Sequence, residues 1–471
     1  MSKLTALAAV YANRPCDAEA LISDMLYAMS HRGKKRVKIE CIGERLGVGY
    51  TSSSLTGGLF QSESSTVVLD GIFFRRTQRG QARLALHESS NNFRSIMKTP
   101  GAFAAVSSKP NVLTAVRDPI GLRPLYYSSK IDVTAIASER KALWRIGHTK
   151  TERILPGYLY TVKSHSMTRK CLFRFPRPRT QAMTMEYAAA HLKRLLQRSI
   201  TSITANVDRV AVAFSGGLDS AITALLAKQA NLEVELVSTG LRDCTELQTV
   251  EKYAKALDLP ISIETYDADS LEHFIRRIVW LIEEHDLMKV SIAIPLHWAA
   301  LLAARRRHSV MLCGQGSDEL YGGYYKYARI LDNEGRRAAL SALYRSIIEA
   351  PQVNYERDEQ ATCPAGVELR TPFANLDVID FSFRIPLEFK VRIGNDQVRK
   401  WVLRTVALKA GLPEEMVWRR KKAIQHGTGV ENAIRRLARK QKLTTDEYLA
   451  KVSNEISKLG EMPSFSVTDN R

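Results

Sequence analysis

A chain of 471 residues, 45% hydrophobic and 25% charged with ordinary glycine and proline, has the material for two or three packed domains, which excludes a fibrous or disordered protein. Six cysteines at 16, 41, 171, 244, 313 and 363 form no C-x-x-C pair and no cluster with histidine; this excludes a disulfide scaffold or zinc site and points to reduced thiols in a cytoplasmic protein. The net charge of +20 favours polyanions, but the basic runs at 174–179, 305–307, 419–422 and 435–442 have no aromatics interleaved in the way single-strand binders require, so a solvated basic surface is expected over a nucleic-acid face.

From the N-terminus there is no signal-like apolar core, and no apolar run reads as long enough to span a membrane, so no membrane partner is expected. Residues 1–170 hold short apolar segments at 4–11, 65–74, 102–107, 112–116, 133–137 and 159–162, separated by Gly, Ser and Asn. That rhythm predicts an antiparallel sheet domain. A helix is expected over 17–29, where Leu21, Ile22, Met25, Leu26 and Met29 share one face. Two prolines and three arginines over 173–180 mark an interdomain linker, bounded at 171–185.

Beyond residue 183 the pattern changes to alternating strands and helices, which implies a parallel sheet wrapped by helices. Leu192, Leu195, Leu196, Ile200 and Ile203 predict an amphipathic helix, followed by a buried strand over 210–214. That strand empties into Ser215-Gly216-Gly217-Leu218-Asp219-Ser220 and a new helix. Strand, glycine turn and helix N-terminus together make an anion cradle: Gly216 and Gly217 admit close backbone approach, and Asp219 can hold a metal riding on phosphate oxygens. The loop resembles the pyrophosphate loop of enzymes that cut ATP between the α and β phosphates. A bare βα turn is the bland alternative. Further strands are expected over 233–238 and 309–312, with helices over 244–257 and 296–304 and a mostly helical remainder to about residue 439. The strand at 309–312 enters a second glycine-bracketed turn, Cys313-Gly314-Gln315-Gly316-Ser317-Asp318-Glu319. If the two turns adjoin, Asp219 and Asp318 can share magnesium on a polyphosphate; a solvated surface turn is the plain alternative. The last dozen residues read as frayed.

Taken together, Ser215–Ser220 and Gly314–Tyr324 resemble the synthetase domain of the type B asparagine synthetase family, with archaeal-type phrasing at 425–429. The resemblance continues through 283–295, 366–373, 400–404 and 418–421. In the first half His31-Arg-Gly33, 117–127, 138–143 and 155–157 resemble that family's glutaminase domain. It implies an α+β Ntn-hydrolase-like sandwich (1–170), the linker, an α/β adenine-nucleotide α-hydrolase-like domain (186–445) and a tail (446–471). It also implies that a carboxylate, aspartate in the family, attacks the α-phosphorus of MgATP, and that an amine then displaces AMP. Ser215, Gly216, Gly217, Asp219, Ser220, Cys313 and Gly314 would hold ATP, with Val237, Ser238 and Gly240 on the adenine side. Asp219 and Asp318 would hold Mg2+, and Asp318 would also face the substrate. Lys421 falls on the family's catalytic lysine, with Gln315 and Asp219 as its catalytic company. Glu368 and Arg370 are candidates to hold the amino acid, a buried ion pair being an equal reading. The implied partners are small molecules, and a homodimer is compatible with the family.

Three departures qualify this. The family's N-terminal cysteine is absent from Met1-Ser2-Lys3, its Asn-Gly-Glu reads Asp70-Gly71-Ile72, and no arginine follows 47–50. Loss of nucleophile and clamp together implies an inactive glutaminase, with nitrogen arriving as ammonia or another amine. Gln315 stands where a glutamate is usual, and an amide cannot take a proton. Asn375 replaces the aspartate of Pro-Phe-Leu-Asp. Competing readings are a ligase for another carboxylate and amine, as in β-lactam synthetases, and a tRNA-directed adenylating enzyme. The glutaminase-like half and the second turn count against the latter, and the retained acids count against a non-catalytic scaffold.

Overall fold

The computed structural model describes residues 5–33, 36–53, 58–90, 93–164, 166–244, 246–393, 398–419 and 424–459. Its first half contains β1 (Thr5–Ala12), β2 (Arg36–Ile42), β3 (Leu46–Ser52), β4 (Leu59–Gln61), β5 (Thr66–Phe73) and β6 (Gly101–Lys109). After these come β7 (Val112–Arg117), β8 (Tyr126–Ser129), β9 (Val133–Ala137), β10 (Glu152–Arg153), β11 (Tyr158–Lys163) and β12 (Ser166–Cys171). They form two antiparallel sheets, ordered β10-β8-β9-β1-β3-β2 and β12-β11-β7-β6-β5-β4.

Period-2 alternation explains why β1 is buried on both faces. Leu7, Ala9 and Tyr11 pack between the sheets against Val68, Ala104, Val106 and Ala115. Ala6, Ala8 and Val10 face outward onto Ile22, Met25 and Leu26 of the helix Ala18–Ala28. That helix starts at Asp17, whose carboxylate accepts the Ala20 N–H at 2.9 Å. Across the domain, Val67, Leu69 and Phe73 meet Ala85 of the helix Gln78–Ser90. The result is a helix–sheet–sheet–helix sandwich.

The second half is built on β13 (Arg209–Ala213), β14 (Glu233–Leu241), β15 (Ile261–Tyr266), β16 (Val310–Leu312) and β17 (Glu368–Arg370). All pairings are parallel, in the order β15-β14-β13-β16-β17. Val210, Val212, Leu236 and Leu312 are buried together with Leu192, Leu196 and Ile200 of the helix Met185–Ile203, while Ala211 and Met311 face Ala299, Ala300 and Ala303 on the other side. Apolar cover on both faces is what a parallel sheet requires. Val212 lies opposite Leu236 on one side and Leu312 on the other, so the turns after β13 and β16 leave the same edge. The chain runs outward in opposite directions from β13 and β16, which opens a crevice between their carboxyl ends.

Several expectations are revised. The strands β2, β3, β4, β8, β10, β12, β15 and β17 and the helix Gln78–Ser90 were not anticipated; β2 and β15 are largely half-exposed, so neither presents a compact apolar run. One helix, Leu287–Arg305, is long and apolar enough to cross a membrane by length and composition, contrary to the expectation. Val290, Ala293, Ile294 and Trp298 of this helix lie in the protein core, which accounts for its composition. The segment read as a tail from 446 contains most of the helix Thr445–Leu459, whose Tyr448, Leu449 and Val452 pack on Leu271, Ile275 and Ile278. Met1, Ser2 and residues 460–471 lie outside the described residues.

Candidate functional site

At the carboxyl edge of the parallel sheet lies a cleft of about 550 Å3, lined by both glycine turns. Gly216 takes φ +66°, a left-handed value suited to glycine, and Gly217 caps the helix Leu218–Gln229 with no side chain covering its first N–H groups. Those N–H groups and the positive end of a twelve-residue helix are therefore left for an anion. Ser215, Gly217, Asp219 and Ser220 line the cleft, and the Ser215 and Ser220 hydroxyls stand 3.4 Å apart. Gly216 shapes the turn from behind, its carbonyl accepting from Arg419 at 3.3 Å.

The two turns touch. A β-carbon on Gly314 would come within 2.6 Å of Asp219 Cβ, so only glycine permits this approach. A β-carbon on Gly323 would collide with the Asp318 carboxylate and the Lys400 stem. Lys400 is the residue that sequence reasoning missed. Its buried ammonium donates to both Asp219 oxygens at 2.7 and 2.6 Å and to Ser317 Oγ at 2.8 Å, and pairs with Asp318 at 2.8 Å. Burial works against its charge, but Asp219 and Asp318 override it and hold the pKa above the ordinary lysine value. Lys400 stood in the quoted 400–404 segment, yet a lone lysine before a tryptophan gave no chemical signal of its own.

Two carboxylates that reach one ammonium can also share one cation. Among the described residues no third acid, histidine or cysteine joins them. This donor set suits magnesium, which is held by one or two carboxylates with phosphate oxygens completing its shell. Asp219 and Asp318 are the side chains that would hold it.

Val237 and Ser238 line the cleft, joined by Thr239, whereas Gly240 packs behind it against Cys244. Cys313 and Gly314 line it too; burial, reinforced by Asp358, pushes the Cys313 thiol up to about 12, so it is no nucleophile. Gln315 faces the cleft, its main-chain carbonyl accepting from Thr371 Oγ1 at 2.6 Å. Lys421 falls outside the described residues; Arg419 and Ile424, on either side of that gap, line the cleft. Arg357 and Asp358 line it as well, and were not singled out from the sequence.

Glu368 and Arg370 form the buried ion pair that was one of the two readings open for them. Glu368 accepts from Arg370 at 2.7 Å and from Arg123 at 3.2 Å, and neither it nor Arg370 lines the main cleft. They belong to a buried ionic seam between the halves of the chain. In that seam Arg117 meets Glu356 at 2.9 Å and Arg123 meets Glu359 at 2.8 Å. Among the described residues, Asp70 in the first half is enclosed rather than open like the cleft. That carboxylate accepts from Thr5 at 2.8 Å and Ser138 at 2.7 Å, with Arg32 at 3.9 Å, and is fully buried.

The model of the asparagine synthase family matches residues 191–354 and 332–453, together more than half of the chain. A glutamine amidotransferase domain model matches 77–145. A Methanocaldococcus jannaschii protein named as a glutamine-hydrolysing asparagine synthetase is 30% identical over 405 residues, covering 75% of this chain and 74% of its own. A Schizosaccharomyces pombe protein of the same naming is 25% identical over 358 residues, covering 67% of this chain and 61% of its own. Among solved structures, the glutamine phosphoribosylpyrophosphate amidotransferase from B. subtilis overlaps at TM-score 0.31 and 14% identity, over 55% of this chain and 65% of that one, too loosely to bear on fold or activity. Over the parallel-sheet half that carries the two acidic turns, and by its likeness to the archaeal protein, this chain belongs to the asparagine synthase family of carbon–nitrogen ligases.

Proposed function

We propose that this protein joins ammonia to aspartate at the cost of ATP, releasing asparagine, AMP and pyrophosphate. The observation that carries the reading is the contact of the two acidic turns at the open sheet edge, with Asp219 and Asp318 on either side of Lys400. In this reading the N–H groups of the loop after β13 cradle the pyrophosphate, and Ser215 and Ser220 add hydroxyl donors. Magnesium bound by Asp219 and Asp318 would neutralise the phosphate chain. Lys400 keeps the two acids together and contributes positive charge where negative charge develops on the departing pyrophosphate. Val237, Ser238 and Thr239 line the adenine side, and Lys421 retains the catalytic role given to it by its motif. In finer fold terms, the first half is an Ntn-hydrolase-like sandwich and the second an adenine-nucleotide α-hydrolase-like domain. The protein works in the cytoplasm on small molecules, an arrangement compatible with a homodimer.

Free ammonia is favoured over glutamine as nitrogen source by the state of the first half. Asp70, at the family's clamp position, is tied into a closed cluster, and the amidotransferase match starts only at residue 77. The test is isotope exchange of pyrophosphate into ATP, run across the twenty amino acids. Exchange that depends on aspartate supports the reading. Exchange with another carboxylate moves the substrate assignment to the β-lactam-synthetase type of ligase, and ATP cleaved at its terminal phosphate overturns the reading altogether.

A further inference from the structure

Amide formation needs a proton acceptor. When ammonia attacks the acyl adenylate, its nitrogen becomes positively charged and must lose a proton as AMP leaves. Gln315 cannot accept it. Between the two halves of the chain lies a second cavity of about 30 Å3, room for a water-sized molecule, closed from the first half by Phe74, Ala102, Leu122 and Arg123. Cys313, Gln315 and Asp358 line both this cavity and the ATP cleft. Of these three, only Asp358 is a carboxylate. It is 3% exposed, and its carboxylate accepts from Arg357 Nε at 2.8 Å and pairs with Nη2 at 2.6 Å.

We infer that Asp358 is the catalytic base for the attacking amine, occupying the role that Gln315 has lost. The assignment rests on the amide-forming reading above. The nitrogen lone pair forms the C–N bond at the acyl carbon, and an N–H proton passes to the Asp358 carboxylate. The acyl C–O bond to AMP breaks with its electron pair leaving on the phosphate, and Asp358 returns its proton to water. Burial pushes the Asp358 carboxyl up and the Arg357 guanidinium draws it partly back, which leaves it a stronger base than an exposed aspartate. Arg123, Tyr355, Glu359 and Arg370 are the other charged or titratable groups around the small cavity. Glu319 also lines the cleft, but it adjoins Asp318, is absent from the small cavity, and its Oε1 already accepts from Tyr324 and Asn354.

The experiment compares three activities of the full chain: aspartate-dependent pyrophosphate exchange, amide formation with ammonia, and hydroxamate formation with hydroxylamine, a weaker base whose nitrogen, once it has attacked, is far more acidic and gives its proton to water without a protein base. Asp358→Asn keeps an acceptor for Arg357. The expected result is that ammonia use falls on the order of 10²-fold more than exchange, while hydroxylamine use falls far less. Equal loss of ammonia and hydroxylamine use, or undiminished ammonia use, overturns the assignment. If Asp358→Asn does not fold, Asp358→Glu decides. It keeps the charge beside Arg357 but moves the carboxylate one bond along, so the ratio of ammonia to hydroxylamine product must change, and a constant ratio overturns the assignment. Wild-type chain without any amino-acid-dependent exchange sinks the amide-forming reading and this assignment with it, whereas exchange with a failed ratio test sinks the Asp358 role alone.

Discussion

Around the cleft, the side chains of Asp219 and Asp318 are 21% and 17% exposed and share one lysine. In the first half, Asp70 and Glu139 are sealed at 0% and 1%, and Arg32 lies against both. Arg32 donates to Glu139 at 2.6 Å and to Glu359, across the seam, at 2.9 Å; Lys141 adds a bond to Glu139 at 2.6 Å. Both regions bury acids beside bases, but only one leaves a face for a ligand. An acid with an open side can exchange its lysine for a cation and a phosphate. An acid enclosed on every side can only hold the fold together, and losing its partner leaves a charge stranded in low dielectric.

The sharpest way to break this comparison is to remove one acid from the open side. Asp219→Ala should lower pyrophosphate exchange on the order of 10³-fold, since it removes the partner of Lys400 and a carboxylate that would hold magnesium. Residual exchange near the wild-type level would put the chemistry elsewhere. On the closed side, Arg32→Met should cost about 3–5 kcal/mol in urea unfolding, because Glu139 and Glu359 lose their shared guanidinium. Exchange per folded molecule should survive that change.

A smaller effect is expected in acid. Burial raises the Glu356 carboxyl, but Arg117 and Arg153 outweigh it and hold the pKa below the ordinary 4.5. A folded pKa below the unfolded one gives stability that is present above pH 4.5 and lost as the pH falls through the folded value. Glu356→Gln should therefore unfold with a weaker acid dependence than wild type between pH 5 and the acid limit, read from urea midpoints. The smallest effect is assigned to Ser2→Ala, which should leave ammonia-dependent amide formation at its wild-type rate. A clear drop would mean that the first half retains a reacting group and is not merely structural.

What the sequence made legible follows the same division. The loop after β13 could be read because strand, glycine pair and helix start are contiguous and each has a local cause. The second turn could be read for the same reason. Lys400 could not, since its meaning lies in two acids 181 and 82 positions upstream that only the fold brings within 3 Å. The double sheet was visible where strands bury both faces, as β1 and β9 do, and missed at β2, where Val37, Ile39 and Cys41 alternate with Arg36, Lys38 and Glu40 but stay partly or fully exposed at the sheet edge, so that no compact apolar run marks the strand. Glu368 and Arg370 could be read equally as substrate ligands, from the family resemblance, or as a buried ion pair, and the residues alone did not choose between the two. Their partner Arg123 is 245 residues from Glu368, and nothing local announced it.

The short helix Glu356–Thr362 has every residue buried, with glutamates bonded to the first half and Asp358 on the cleft. The first half is thereby made indispensable to the second, whatever chemistry it carries. Cutting it away would uncover Ile203 and Ala374, which line the small cavity together with Phe74 and Ala102, and would leave Glu356 and Glu359 without counterions, so the ligase half depends on its neighbour for shape as well as for any chemistry.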